Sequence, residues 1–210
     1  MSLPGTGPGR AQVLAEVRAA LVSAHGVEPQ EASVTFLGTE AMRVLRFVGV
    51  PPSLAHEEPA GGAPLVHYVT LGCSGEPMGD PAAPVLDPAG PRAELRMTLR
   101  GGVDGVVRAL AVLGSTPAVD GLVLAEGAIV DLGEPLWPGA AFTAVVLRPP
   151  ELPEVGLDAP AAPVRVLEAV PVTHTEAAWA RVRGVDALVE AWAAAGTDVT
   201  DPARPAALPH

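Results

Sequence analysis

The chain reads as one α+β domain, a mixed and largely antiparallel sheet flanked by helices. Three observations carry this. Strand-like segments come in runs instead of alternating strictly with helices, which disfavours an all-parallel α/β sheet. RAELRMTLR, residues 92–100, alternates Ala93, Leu95, Met97 and Leu99 with Glu94, Arg96, Thr98 and Arg100, the pattern of a strand with one dry and one wet face. Segments of helical spacing occur at both ends and in the middle. The 210 residues suit one domain with a sizeable core.

In chain order, residues 1–10 are expected to form a flexible start and residues 11–196 the folded domain. AQVLAEVRAALVSAH, residues 11–25, places Leu14, Val17, Leu21 and Ala24 on one helical face, with Gly26 as its C-terminal cap. SVTF (33–36) and RVLRFVGV (43–50) read as short strands, and PPSLAHEEPAGGAP (51–64) as a loop. LVHYVTL (65–71), β-branched and aromatic, is a further strand. A Pro-rich loop over 75–91 leads into the strand at 92–100. VDGVVRALAVL, residues 103–113, returns to helical spacing and is expected to stop at Gly114. FTAVVL (142–147) and VRVLEAV (164–170) are two more strands. Thr173 and Glu176 sit at capping-box spacing. A helix then runs past Trp179 and Val182 to Gly184, and a second, with Val185, Leu188, Val189 and Trp192, closes at Gly196. Residues 197–210 read as a loosely held tail.

Hydrophobic residues make up 49% of the chain, too many for a disordered one. The 24 Pro and 23 Gly cluster between the patterned segments and predict long rigid loops. A net charge of −11 argues against nucleic acid, which needs a basic face; its ordinary meaning is solubility, and it also suits a basic protein partner through steering. All 13 basic residues are Arg, with no Lys, no Asn and a single Ile, Ile129. That is a bias of GC-rich codons, not a signal of phosphate recognition. One cysteine, Cys73, excludes an internal disulfide and a multi-Cys zinc centre. The start MSLPGTGPGR has no apolar signal-peptide core, and no stretch approaches ~18 uninterrupted apolar residues. The expected compartment is the cytoplasm.

Candidate chemistry centres on VHYVTLGCSGEPM, residues 66–78, which holds Cys73 and Ser74. A hydrolase nucleophile elbow reads G-x-S-x-G on a strand-to-helix turn. Here Gly75 comes one residue early, and Pro77, Pro81 and Pro84 forbid a helix behind the turn. A hydrolase using Cys73 or Ser74 is therefore the lesser reading. The leading one is a structural turn in which Gly72 and Gly75 supply unusual backbone angles. His67, six residues before Cys73, lies ~20 Å away along an extended strand. His25, His56, His67, His174 and His210 are scattered, and the His174-Thr-Glu176 triplet lacks the P-C-x-x-C that a deaminase needs. GTGPGR (5–10) lacks the Lys of a phosphate loop, and Glu57–Glu58 lie in a loop without an apolar pocket. No metal, cofactor or catalytic residue is expected. Arg92, Arg96 and Arg100 read first as a solvated sheet face, with a grip on an acidic partner as the alternative. Trp137, between prolines in GEPLWPGAAF, either anchors a partner or plugs its loop onto the core. Glu76, Arg96, Arg100 and Trp137 are thus the candidate partner contacts.

The order of these pieces resembles the bacterial suppressor-of-fused-like family. The resemblance rests on the turn Thr70, Gly72, Ser74, Pro77 and Met78, and on the strand start Ala93-Glu94-Leu95. It rests further on Phe142 through Leu147 to Pro149-Pro150-Glu151, and on the closing series Pro171, Glu176, Gly184 and Leu188. It covers roughly residues 33–196. One departure is Gly127-Ala128-Ile129, where many relatives resemble G-H-T. The resemblance implies a mixed sheet flanked by helices and a non-enzymatic protein-binding module. Its animal relatives restrain a transcription factor, and some bacterial members resemble immunity proteins that neutralise secreted toxins. The expected partner is a protein, with a basic toxin as the sharpest version and an intracellular regulatory or scaffold role as the alternative. Met78 is expected to tuck into the core.

Overall fold

The computed structural model describes residues 7–35, 41–49, 63–80, 82–83 and 85–207. Phe36, the loop residues 51–62 (with His56, Glu57 and Glu58), Pro81, Pro84 and His210 lie outside the described residues. The sheet contains β1 (Gln30–Val34), β2 (Met42–Val48), β3 (Leu65–Leu71), β4 (Arg92–Arg100), β5 (Ile129–Asp131), β6 (Phe142–Arg148) and β7 (Val164–Thr173). The helices are α1 (Arg10–His25), α2 (Val106–Asp120), α3 (His174–Arg183) and α4 (Val185–Ala195). The seven strands lie in the order β1-β2-β3-β4-β7-β6-β5. Each neighbouring pair is antiparallel except β4 and β7, which run parallel. The α+β reading and the mixed, largely antiparallel sheet therefore hold.

Both faces of the sheet are covered. On one, α2 packs through Val106, Leu110 and Leu113 onto Val66, Tyr68, Leu95 and Met97. On the other, Val13, Val17 and Leu21 of α1 pack against Leu45, Phe47, Val69 and Val166, while α3 and α4 cover Ala144, Val146 and Val172 with Ala177, Leu188 and Trp192. This corrects the expectation of a wet face on β4. Arg92, Glu94 and Arg96 are buried along with the apolar residues that alternate with them. Alternation marks the polar face of a strand but does not show whether another layer covers it.

Helix α2 passes the expected stop at Gly114 and includes Pro117. Two local features allow this. A side chain at Gly114 would bring a Cβ within 3.2 Å of Thr70 Cγ2 and 3.4 Å of Met42 Cε, so the glycine is there to let the helix approach β2 and β3. Pro117 has no N–H to give the carbonyl of Leu113, and the Thr116 hydroxyl donates to that carbonyl instead, at 2.7 Å. At the α3–α4 junction the expected break is present. Gly184 adopts φ +92°, a backbone region that side chains disfavour, and closes α3 by donating to Ala180 O.

Arg10 opens α1. The described residues of the tail are tied in more closely than the sequence suggests. Residues 197–207 are pinned to the domain by Arg100–Asp198 at 2.6 Å and by Arg204–Glu176 at 2.6 Å, with Arg204 only 3% exposed. The buried Glu176 carboxylate needs a counter-charge, and the tail supplies it.

Candidate functional site

The Cys73 turn is assembled around one carboxylate. Glu94 on β4 is fully buried and points at the end of the neighbouring β3. Its Oε1 accepts from Gly72 N at 2.9 Å, Ser74 N at 3.0 Å and Ser74 Oγ at 2.6 Å. Its Oε2 accepts from Thr70 Oγ1 at 2.6 Å. The Ser74 carbonyl accepts from Arg92 Nη1 at 2.7 Å. The one-turn 3-10 helix Cys73–Gly75 thus folds over a negative charge that its own amides solvate. Gly75 does not serve through an unusual angle, since it is not among the positive-φ glycines. It serves through space: a Cβ there would fall 2.3 Å from Arg10 Nη1. Met78 is buried as expected and accepts a contact from Leu124 N through Sδ at 3.3 Å.

This geometry suppresses nucleophilic chemistry at the turn. Ser74 is completely buried and its hydroxyl is committed to Glu94. Burial pushes the Cys73 thiol well up, and the Glu94 carboxylate adds to the effect. Alkylation of Cys73 by iodoacetamide at pH 8 should therefore run on the order of 100-fold slower than that of a free thiol and recover in denaturant. Rapid modification of the folded protein would count against the assignment.

The arginine row is internal. Arg96 reaches Glu151 and lies with Nε 2.7 Å from Oε1 of Glu168 on β7, an ion pair whose angle is not that of a hydrogen bond. Arg100 Nε donates to Asp198. Among the sequence-predicted partner contacts, Arg96 is 2% exposed and Trp137 6%. Trp137 packs on Phe142, with ring centroids 5.6 Å apart, so it plugs its loop onto the core. Glu76 is exposed. Arg100 faces the cleft described below. The four do not share one surface. His25 and His67, from α1 and β3, do meet, with ring centroids 5.5 Å apart, and His25 stacks on Phe47 at 4.0 Å.

Glu168 is the titrating group of this seam. Burial, opposed by Arg96, pushes its carboxyl up to about 7. The folded state therefore keeps a proton that the unfolded chain loses near the ordinary value of 4.5. Between those two values folding stability falls as pH rises, by up to ~1.4 kcal/mol per pH unit from this group. Urea unfolding at pH 5, 6, 7 and 8 should show this fall for the native chain relative to Glu168→Gln. A native-minus-variant difference that stays flat would contradict it.

His174 lies exposed in the first turn of α3, while Glu176 is turned inward. Thr173 and Glu176 form the full capping box, and Glu176 also accepts from Trp192 Nε1 at 3.0 Å, Ala207 N at 3.1 Å and Arg204 Nη1 at 2.6 Å. Burial opposes its ionisation. The bonds from Arg204, Thr173, Trp192 and Ala207 outweigh burial and hold the carboxyl below its ordinary value. No helix among the described residues is long and apolar enough to cross a membrane.

The sequence matches no curated protein. Solved structures do share the fold. A suppressor of fused homologue from Neisseria gonorrhoeae is 18% identical with a TM-score of 0.59, and the match covers 94% of this chain and 96% of that one. The Sufu–Fu complex gives 14% identity and a TM-score of 0.66 over 95% and 92% of the two chains. Drosophila Suppressor of Fused gives 13% and 0.59, over 88% of this chain and 46% of that one. At these identities the likeness is one of fold. The family model of the suppressor of fused protein (SUFU) matches residues 38–205, spanning the Glu94-centred turn, the buried arginine row and Arg204, and the chain belongs to the suppressor of fused family.

Proposed function

We propose that this domain is a non-enzymatic protein-binding module whose partner is a basic protein, with neutralisation of a basic toxin as its sharpest form. Family membership supports the protein-binding part, since a chain of the same fold is found in the structure of the Sufu–Fu complex. The observation that carries the basic partner is where the charge sits. Among the described residues the buried arginines Arg92, Arg96 and Arg204 are matched by the buried acids Glu94, Glu168 and Glu176. The net −11 is therefore left to the rest of the molecule, where Glu76 is exposed. An acidic surface speeds encounter with a basic protein and can occlude a basic active site. A hydrolase at Cys73 or Ser74 is disfavoured by the buried, Glu94-bound turn.

The test is affinity capture on the immobilised domain from lysate of the source organism at low and moderate salt, with retained proteins identified by mass spectrometry. A basic toxin-like protein released as salt rises is the expected result. A partner held through an apolar, salt-resistant contact would instead indicate the regulatory or scaffold role.

A further inference from the structure

The single parallel pairing among the described strands ends early. The β4–β7 ladder stops at Arg96–Glu168, although β4 continues to Arg100 and β7 to Thr173. The C-terminal segment takes the next place beside β4: Arg100 N donates to Thr200 O at 2.8 Å, and Asp198 caps the Arg100 side chain. Behind this wedge lies a half-open cavity of about 320 Å³, lined among others by Leu65, Thr98, Arg100, Arg148, Glu168 and Val170. That volume is in the range of small-ligand pockets.

One guanidinium group, that of Arg148, faces the cavity with donors to spare. Arg100 also lines the wall, but it is paired with Asp198 and its Nη1 has almost no accessible surface. Arg148 on β6 stands in register with Glu168, is half-buried, and makes no side-chain hydrogen bond or ion pair among the described residues. A guanidinium fork is matched by a planar carboxylate. The charges in and around the cavity are Arg96 and Arg100 from β4, Arg148 from β6, Glu168 from β7, Glu151 from the loop after β6 and Asp198 from the tail. Glu168 keeps its proton up to about pH 7, so below that three guanidiniums stand beside two charged carboxylates, a balance that admits a single added negative charge better than a double one. Leu65 and Val170 supply an apolar wall.

The geometry points to a carboxylate-binding pocket at the split between β4 and β7, in which Arg148 holds a monoanionic carboxylate carried on a short apolar body. Such a group belongs either to a free small organic acid or to the chain end of a peptide. The pocket does not depend on the protein-partner reading, because the test uses the isolated full chain and small probes.

Isothermal titration with isovalerate, with a short peptide ending in Val, with the same peptide amidated, and with inorganic phosphate tests it. The carboxylate probes should bind with Arg148-dependent affinity, and Arg148→Gln should weaken them about 10- to 100-fold, as expected for charged hydrogen bonds. The amide and phosphate should bind at least about tenfold more weakly. Arg148 has no partner to lose, so the variant should unfold at the same temperature as the native chain. A free-carboxylate peptide much tighter than isovalerate assigns the site to chain ends, and equal affinities assign it to small acids. No carboxylate binding at tens of millimolar, binding indifferent to Arg148→Gln, or phosphate binding more tightly than carboxylate would each overturn the proposal.

Discussion

Glu94→Ala is expected to cost at least about 4 kcal/mol and to leave most molecules unfolded near physiological temperature. Glu94 is fully buried and accepts from two backbone amides and two hydroxyls. Truncation removes the acceptor and leaves these donors dry, each at a cost of roughly 1–3 kcal/mol that does not simply add. Glu94→Gln should be far milder, within about 2 kcal/mol. The amide can keep its oxygen at Oε1, where three of the donors meet, and turn its NH₂ to the Thr70 hydroxyl. Urea unfolding followed by circular dichroism reads both. If Glu94→Ala stays within 1 kcal/mol of the native chain, the carboxylate is not what organises the turn.

The second large effect lies at the tail. Arg204→Ala should cost about 3–5 kcal/mol, the usual result of stranding one half of a buried ion pair. Glu176 is fully buried, and Arg204 bonds it at 2.6 Å while also donating to Pro171 O at 2.7 Å and lying over the Trp192 ring. Loss of the anchor also frees residues 197–207, so limited proteolysis should cut there in the variant and not in the native chain. Adding Glu176→Gln to Arg204→Ala should recover part of the loss, because the stranded charge is gone. Equal stability of the single variant and the native chain would show that the tail is not anchored by this pair.

What could be read in advance follows from range. The capping box at Thr173–Glu176 spans four consecutive residues, and the alternation of β4 and the Gly196 cap are equally local; all three were legible. The partners of Arg96 were not. Glu151 and Glu168 lie 55 and 72 residues further along, and only the parallel pairing of β4 with β7 brings Glu168 beside it. The same blindness made β4 look half-wet, since what covers its polar face, the Cys73 turn with Glu151 and Glu168, is distant in sequence. Glu94 stood out as part of the Ala93-Glu94-Leu95 strand start, but its role depends on the turn of the neighbouring strand. The extension of α2 was hidden because Pro117 reads as a breaker, while the remedy is a single hydroxyl next to it, on Thr116. β5 was missed because three residues with one buried side chain carry no periodicity. Arg148 and Arg204 gave no local signal at all: a lone arginine reads the same whether it is solvated, paired or facing a cavity.

We propose that the domain acts by holding a protein and not by transforming one. The direct test is intact mass spectrometry of a captured partner before and after incubation with the domain and with its Cys73→Ala variant. A stable complex with both masses unchanged, formed equally by the two proteins, is the expected outcome. A partner whose mass changes with the native domain but not with Cys73→Ala would contradict the account and place catalysis at the turn after all.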